Sequence, residues 1–182
     1  MLVIGGYSEG FLSDVELLNF NSNDDECNPP NLNYAVSHHK TIKSSRGLIT
    51  CGGYDKNWNL LSNCSIQKSN GEIKSIPSMV TRNINFGMVN VNETLYAIGG
   101  IGTFNTMETI NLNNDTKWKK ENLDNWPSEY TCDEYRCLAT WSLTAHCVVN
   151  IRSKIFVIGG ARRLGKSFSM VRKNYGGMIK VI

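Results

Sequence analysis

Short apolar runs alternate with polar breaks along the whole chain, and four of the runs end on a double glycine. They are Leu2-Val3-Ile4-Gly5-Gly6, Leu48-Ile49-Thr50-Cys51-Gly52-Gly53, Leu95-Tyr96-Ala97-Ile98-Gly99-Gly100 and Ile155-Phe156-Val157-Ile158-Gly159-Gly160. The first glycines stand at 5, 52, 99 and 159, so the spacings are 47, 47 and 60. Two equal spacings and a longer one describe a repeat with one insertion. Each run is too short for a helix and rich in Val, Ile, Leu and aromatics, which predicts a strand. The glycines that end it suit positive φ or a close backbone approach. Gly176-Gly177 follows polar residues and is left outside the repeat.

Other positions fall into the same register. Thirteen residues before the first glycine stand His39, Phe86 and His146, each opening a predicted strand. Polar hairpin turns follow at 44–47, 92–94 and 152–154, and then the glycine-terminated strand. A third strand is predicted at 13–19, 62–67 and 106–111, and a weaker fourth near 72–76 and 117–120. Four short antiparallel strands in about 47 residues describe a propeller blade. An ordinary β-sandwich would not produce this register.

Composition narrows the function. The 182 residues are 41% hydrophobic and 19% charged, which excludes wholesale disorder. No apolar run approaches the ~20 residues that span a bilayer. Asn occurs 22 times and favours turns, in keeping with many short connections. Of the net charge of +3, +6 lies in 161–182 and −3 in the remainder, so the body is not a nucleic-acid binder. The basic segment 161–182 is read as a partial blade or a solvated tail. Met1-Leu2-Val3 opens with no basic stretch before the apolar residues, so no secretory leader is expected here.

At these residues the chain resembles Kelch-repeat proteins. Their pattern sets Gly-Gly after a hydrophobic strand, then a Val-Glu-like pair, a Trp, and a Pro-Met-x-x-x-Arg-like segment. The second repeat carries Ile76-Pro77-Ser78-Met79-Val80-Thr81-Arg82, then Phe86-Gly87-Met88-Val89. The first supplies Val15-Glu16 and Pro29-Pro30, the third Met107-Glu108 and Trp118. Departures are that no Trp closes the second repeat, no Arg follows Pro30, and an insertion stands at about 121–142. The resemblance covers residues 2–160 and implies an all-β Kelch-type propeller. Counting repeats predicts an incomplete arc of about three and a half blades, prone to self-association; a small four-bladed closure is the alternative.

Six cysteines exceed what a cytosolic propeller needs. Cys51 occupies the place of Ile4, Ile98 and Ile158, and Cys64 falls near that of Val15 and Met107. The two can meet as a cross-strand disulfide or pack as small buried hydrophobes. The pairing of Cys27, Cys132, Cys137 and Cys147 is not deducible. Sequons stand at Asn63, Asn92 and Asn114, with Asn92 at a predicted hairpin tip. Cysteines and sequons together favour an extracellular or luminal setting over the cytoplasm. Some secreted Kelch-type domains are similar in having Cys beside the Gly-Gly and again in the next strand.

His38, His39 and His146 suggest a metal site, with Tyr34 or Tyr54 as companions. His39 and His146, however, share a repeat position with Phe86, which reads as packing. The copper site that galactose oxidase builds on a Kelch-like propeller is not reproduced as a motif. No phosphate loop and no nucleophile elbow occur. Asp24-Asp25-Glu26 and Asp133-Glu134 are read as solvated turns. Trp126, Tyr130 and Tyr135 concentrate aromatics in the insertion, a candidate binding loop or a cover over a blade. The expectation is a non-enzymatic module without cofactor or metal that binds a protein partner through blade loops. The rival readings are the substrate-recognition part of a BTB–Kelch ubiquitin-ligase adaptor and a fragment of a galactose-oxidase-like carbohydrate-oxidising propeller.

Overall fold

The structure is a computed structural model, and it describes residues 2–17, 30–101, 106–122, 147–158 and 176–179. Every regular element among them is a strand. The chain divides into two compact units, Met1–Ile84 and Asn85–Ile182.

The first unit holds β1 (Leu2–Ser8), β2 (Gly10–Leu17), β3 (Lys40–Ser44), β4 (Gly47–Cys51), β5 (Cys64–Gln67) and β6 (Ile73–Ile76). β1 and β2 pair as a two-stranded sheet, and β3-β4-β5-β6 run as a four-stranded antiparallel meander. The second unit holds β7 (Gly87–Val91), β8 (Thr94–Ile98), β9 (Thr106–Asn111), β10 (Lys119–Asn122), β11 (Cys147–Ile151), β12 (Lys154–Ile158) and β13 (Gly176–Ile179). There β7-β8-β9-β10 repeat the four-stranded meander, and β11-β12-β13 form a three-stranded sheet. Among the described residues the chain is therefore all-β, in four antiparallel, open sheets, and the two four-stranded meanders repeat at 47 residues.

Burial grades across each four-stranded sheet. All four residues of β5 are buried, as in a strand covered on both faces, whereas all four of β10 are exposed. The Lys119-Lys120-Glu121-Asn122 sequence explains the second case: a charged edge strand discourages pairing with another chain. In the second unit Val89, Val91, Ile98, Ile155 and Val157 form the core between β7–β8 and β12. The Asn150 amide nitrogen donates to the Asn90 carbonyl at 3.4 Å, joining two residues at the same repeat position. In the first unit Val15, Leu32 and Val36 are buried together, with Ile4, Tyr34 and Leu61 packed against them.

Small departures from the expected boundaries have local causes. The strands open at Lys40, Gly87 and Cys147, one residue after His39, Phe86 and His146. His38 and Asn85, 47 apart, both take positive φ (56° and 54°), so the chain kinks before it pairs. β2 begins at Gly10 rather than Ser13 because Tyr7 pairs with Phe11 beyond the glycines. β10 lies two residues later than expected, since a charged run lacks the alternation that fixes a boundary. Gly176 and Gly177, set outside the repeat, open β13 and pair with Ile158 and Val157. The second and third hairpin turns fall where expected, with positive φ at both central residues, Asn92-Glu93 and Arg152-Ser153, the mark of a type I′ turn.

The glycine pairs knit successive segments together. Gly6 N–H donates to the Val36 carbonyl at 2.8 Å, and Gly53 N–H to the Asn83 carbonyl at 2.9 Å, again 47 residues on. A Cβ on Gly53 would lie 2.5 Å from the Ser37 carbonyl oxygen, and one on Gly5 would lie 2.8 Å from that of Val36. Both glycines also hold positive φ, 100° and 52°. No L-side chain fits either place without displacing backbone. Gly53→Ala is expected to lower the unfolding free energy by about 2–4 kcal/mol. Gly10→Ala, whose Cβ meets nothing within 4 Å, should stay within about 0.5 kcal/mol. Urea titration of the two variants beside the parent checks the contrast.

Candidate functional site

The connections that leave the glycine pairs gather the exposed aromatic residues of the first unit. In the first repeat the chain runs on from Gly6 through Tyr7 and Ser8, turns at Glu9, and returns through Gly10 and Phe11. In the second it makes a longer excursion, residues 52–63, before β5. Tyr54 bridges Ser37 on one side and Leu60 on the other. Its N–H donates to the Ser37 carbonyl at 2.8 Å, and its carbonyl accepts the Ser37 N–H at 3.1 Å.

Asp55 organises the tip of that excursion. Its Oδ1 accepts the N–H groups of Asn57 (2.8 Å) and Asn59 (2.9 Å), and its Oδ2 accepts the Asn59 side-chain amide at 3.0 Å. The Trp58 N–H donates to the Asp55 carbonyl at 2.9 Å. Those bonds, led by the Asn59 side chain, hold the Asp55 carboxyl below its usual range and keep it ionised. The tip is thus a carboxylate-centred turn, and it presents Trp58 at φ 61°.

Five rings meet there. The Phe11 and Trp58 centroids lie 4.9 Å apart at 77°, Tyr7 and Phe11 5.3 Å at 81°, and Tyr7 and Trp58 5.5 Å at 48°. Tyr54 meets Trp58 at 5.5 Å and 64°, and His38 meets Tyr54 at 5.8 Å and 80°. Edge-to-face and tilted contacts of this kind favour the cluster by about 0.5–1.5 kcal/mol each. Tyr7 and Trp58 nonetheless keep 56% and 55% of their surface in solvent. The result is a ring surface shared by two successive connections, its longer loop tied by hydrogen bonds to Asp55 and its outer side open to solvent.

The structure joins Cys51 and Cys64 in a disulfide at the register position where β4 meets β5. Ile4 faces Val15 and Ile98 faces Met107 at the corresponding places. Cys147 is exposed and carries a free thiol. The sequon residues Asn63, Asn92 and Asn114 all have exposed side chains, Asn92 at a hairpin tip. Trp126, Tyr130 and Tyr135, with Cys27, Cys132, Cys137, His146, Gly159-Gly160 and the basic residues 161–175, lie outside the described residues. So do Asp24-Asp25-Glu26 and Asp133-Glu134.

His39 and His38 part company despite being neighbours. His38 is exposed and belongs to the ring cluster. His39 is half-buried beside Gly5 and Gly53, donates to the Ile4 backbone carbonyl, and leaves Nδ1 without a partner. An open groove of about 250 Å³ runs beside it, lined by Ile4, Thr41, Ile42, Lys43 and Leu48. Phe86, its repeat equivalent, is fully buried. Among the described residues no group of three or more His, Cys, Asp and Glu is placed to hold a metal ion. No helix among them is long and apolar enough to cross a membrane.

The aromatic cluster was not singled out from the sequence, although part of it was within reach there. Tyr7 and Tyr54 each follow a Gly-Gly and stand 47 residues apart. Comparison of the chain with protein-family models and with curated proteins returns no match.

Burial lowers the His39 pKa from the ordinary 6.5 to about 4, with the Ile4 bond opposing the shift. The unfolded chain therefore binds the extra proton first. Stability present above pH 6.5 is lost progressively as the pH falls toward 4, by an amount of order 3 kcal/mol. His39→Phe, the residue at the equivalent place in the next repeat, is expected to flatten the stability profile between those two values. Denaturant titrations at pH 7, 5.5 and 4 measure this.

Proposed function

We propose that the chain is a non-enzymatic protein-interaction module built on Kelch-type repeats, and that its ring cluster is a docking point for a protein partner. The observation carrying this reading is the pair Tyr7 and Trp58, more than half exposed yet locked into a five-ring cluster. Trp and Tyr are the side chains most often found as binding anchors, because they offer a large apolar face at low entropic cost. An anchor already ordered by Asp55 and by its neighbouring rings loses little freedom on binding. The repeat register and the meanders it generates support the Kelch-type reading, with the incomplete arc of about three and a half blades as its form. Self-association through open sheet edges goes with that form. Trp126, Tyr130 and Tyr135 remain a second candidate loop.

The setting is read as extracellular or luminal. A disulfide between Cys51 and Cys64 belongs in an oxidising compartment, and three exposed sequon residues suit glycan attachment. The intracellular ubiquitin-adaptor reading predicts the opposite chemistry. Peptide masses from thiol-blocked protein of the native source are expected to show linked Cys51 and Cys64 peptides and added glycan mass at Asn92. Six blocked thiols with bare asparagines would instead favour the adaptor.

The docking point is tested by placing a photo-cross-linking residue at Glu9 or Asn57, beside the rings, and at Ser75 on β6 as a control. The partner is expected at the first two positions and not the third; equal labelling of all three would sink the assignment. With that partner in hand, Trp58→Ala is expected to weaken binding about 30-fold, the size of a typical hot spot. Its melting temperature should fall by several degrees as well, because three ring contacts of about 0.5–1.5 kcal/mol each are lost, so binding is compared at a temperature where both proteins are fully folded.

A further inference from the structure

The Cys51–Cys64 disulfide stands directly at the two ends of the segment that carries Tyr54 and Trp58: residues 52–63 leave from one sulfur's residue and return to the other's. It is also the last pair of the β4–β5 ladder on that side. Beyond it the two arms of the segment are joined by backbone bonds, Gly52 N–H to the Asn63 carbonyl at 3.0 Å and Leu61 N–H to the Gly53 carbonyl at 2.9 Å, and opening of these would spread the base of the ring-bearing segment. At the same place in the first and third repeats two apolar residues face each other across the ladder with no covalent bond, Ile4 opposite Val15 and Ile98 opposite Met107. An apolar pair therefore suffices to hold two strands together at this position. The covalent bond closes a connection, residues 52–63, that is longer than 5–14 and 99–106 in the repeats on either side, though shorter than 159–175 between β12 and β13. It also occurs where the connection reaches out to a neighbouring sheet's rings.

From this we infer that Cys51 and Cys64 are positioning residues for the aromatic site, and that the site takes its binding form only once the chain has been oxidised. The bond forms by exchange with a disulfide-bearing oxidant. One cysteine thiolate attacks it to give a mixed disulfide, and the second cysteine thiolate displaces the oxidant's remaining thiolate. Two electrons and two protons pass from the cysteine pair to the oxidant, which leaves as a dithiol. Both cysteines are buried in the finished fold, so the exchange belongs to folding, before the ladder closes over them. A chain folded under reducing conditions keeps the β3–β6 meander and loses the fixed placement of Trp58. The ordering of the segment stands without reference to any ligand; its gating of recognition rests on the rings being the docking point.

The test is hydrogen exchange by mass spectrometry on the full chain in three forms: oxidised, reduced, and Cys51→Ile/Cys64→Val, which installs the apolar pair of the first repeat. Amides from Tyr54 to Leu61 are expected to exchange at least ten-fold faster in the second and third forms. Those of Ile49 and Ile66, inside the ladder, should change less than three-fold. Equal exchange across 54–61 in all three forms overturns the inference. So does a matching loss of protection at Ile49 and Ile66, because the bond would then be a staple for the sheet itself. The gating is read from cross-link yield at Glu9, expected to fall at least ten-fold in the Ile/Val form. An unchanged yield there, with 54–61 loosened, overturns the gating alone. Loss of labelling at Glu9 in the oxidised parent would instead count against the docking point, leaving the exchange result untouched.

Discussion

The close passage of backbone over backbone at the glycine pairs is the constraint on which the first unit depends. At Gly5 the Val36 carbonyl, and at Gly53 the Ser37 carbonyl, stands where a side chain would otherwise be. That approach lets Gly6 and Gly53 donate to Val36 and Asn83, so each strand end is tied to a segment that has yet to form its own sheet. Hydrogen bonds of this kind satisfy backbone groups that the ladder leaves open. They also fix the direction in which the chain leaves the glycines, and with it the position of everything on the following connection.

The ring cluster is a product of that geometry. Tyr54 is held by Ser37, whose carbonyl is the same atom that the missing Cβ of Gly53 makes room for. Trp58 follows from the Asp55 turn, and Tyr7 and Phe11 from a hairpin that continues past Gly6. Local turn chemistry and cross-strand pairing thus converge on one surface, though neither alone would place the rings together. His39 shows the other side of the same repeat logic. A packing position filled by Phe86 in one repeat tolerates a histidine in another only as the neutral ring.

Much of the sheet architecture is legible in the chain because its signals are local. Gly-Gly pairs, apolar runs of four or five residues and the alignment of Cys51 with Ile4 and Ile98 all act within a strand or between adjacent strands. The Cys51–Cys64 pairing is of that type. The binding surface is not, since it depends on side chains from connections some 50 residues apart and on how much of each ring faces water. Aromatic density alone drew attention to Trp126, Tyr130 and Tyr135, whereas Trp58 sits singly among Asn, Lys and Asp. Its presentation depends on three hydrogen bonds to one carboxylate, which no periodicity announces. The outermost strands were the least legible for a related reason: Lys119–Asn122 is exposed throughout, so no hydrophobic alternation marks its ends.

The hairpin tips carry a broader implication. Asn92-Glu93 and Arg152-Ser153 share one left-handed geometry with no residue in common, and only asparagine among them is at ease there. The ladders on either side evidently impose the bend, whatever residue occupies it. A chain whose shape is enforced by a few glycines and by the pairing between them leaves most other letters free to drift. In such an architecture likeness of spelling fades well before likeness of form, and kinship is better sought in the spacing of the glycines than in the residues between them.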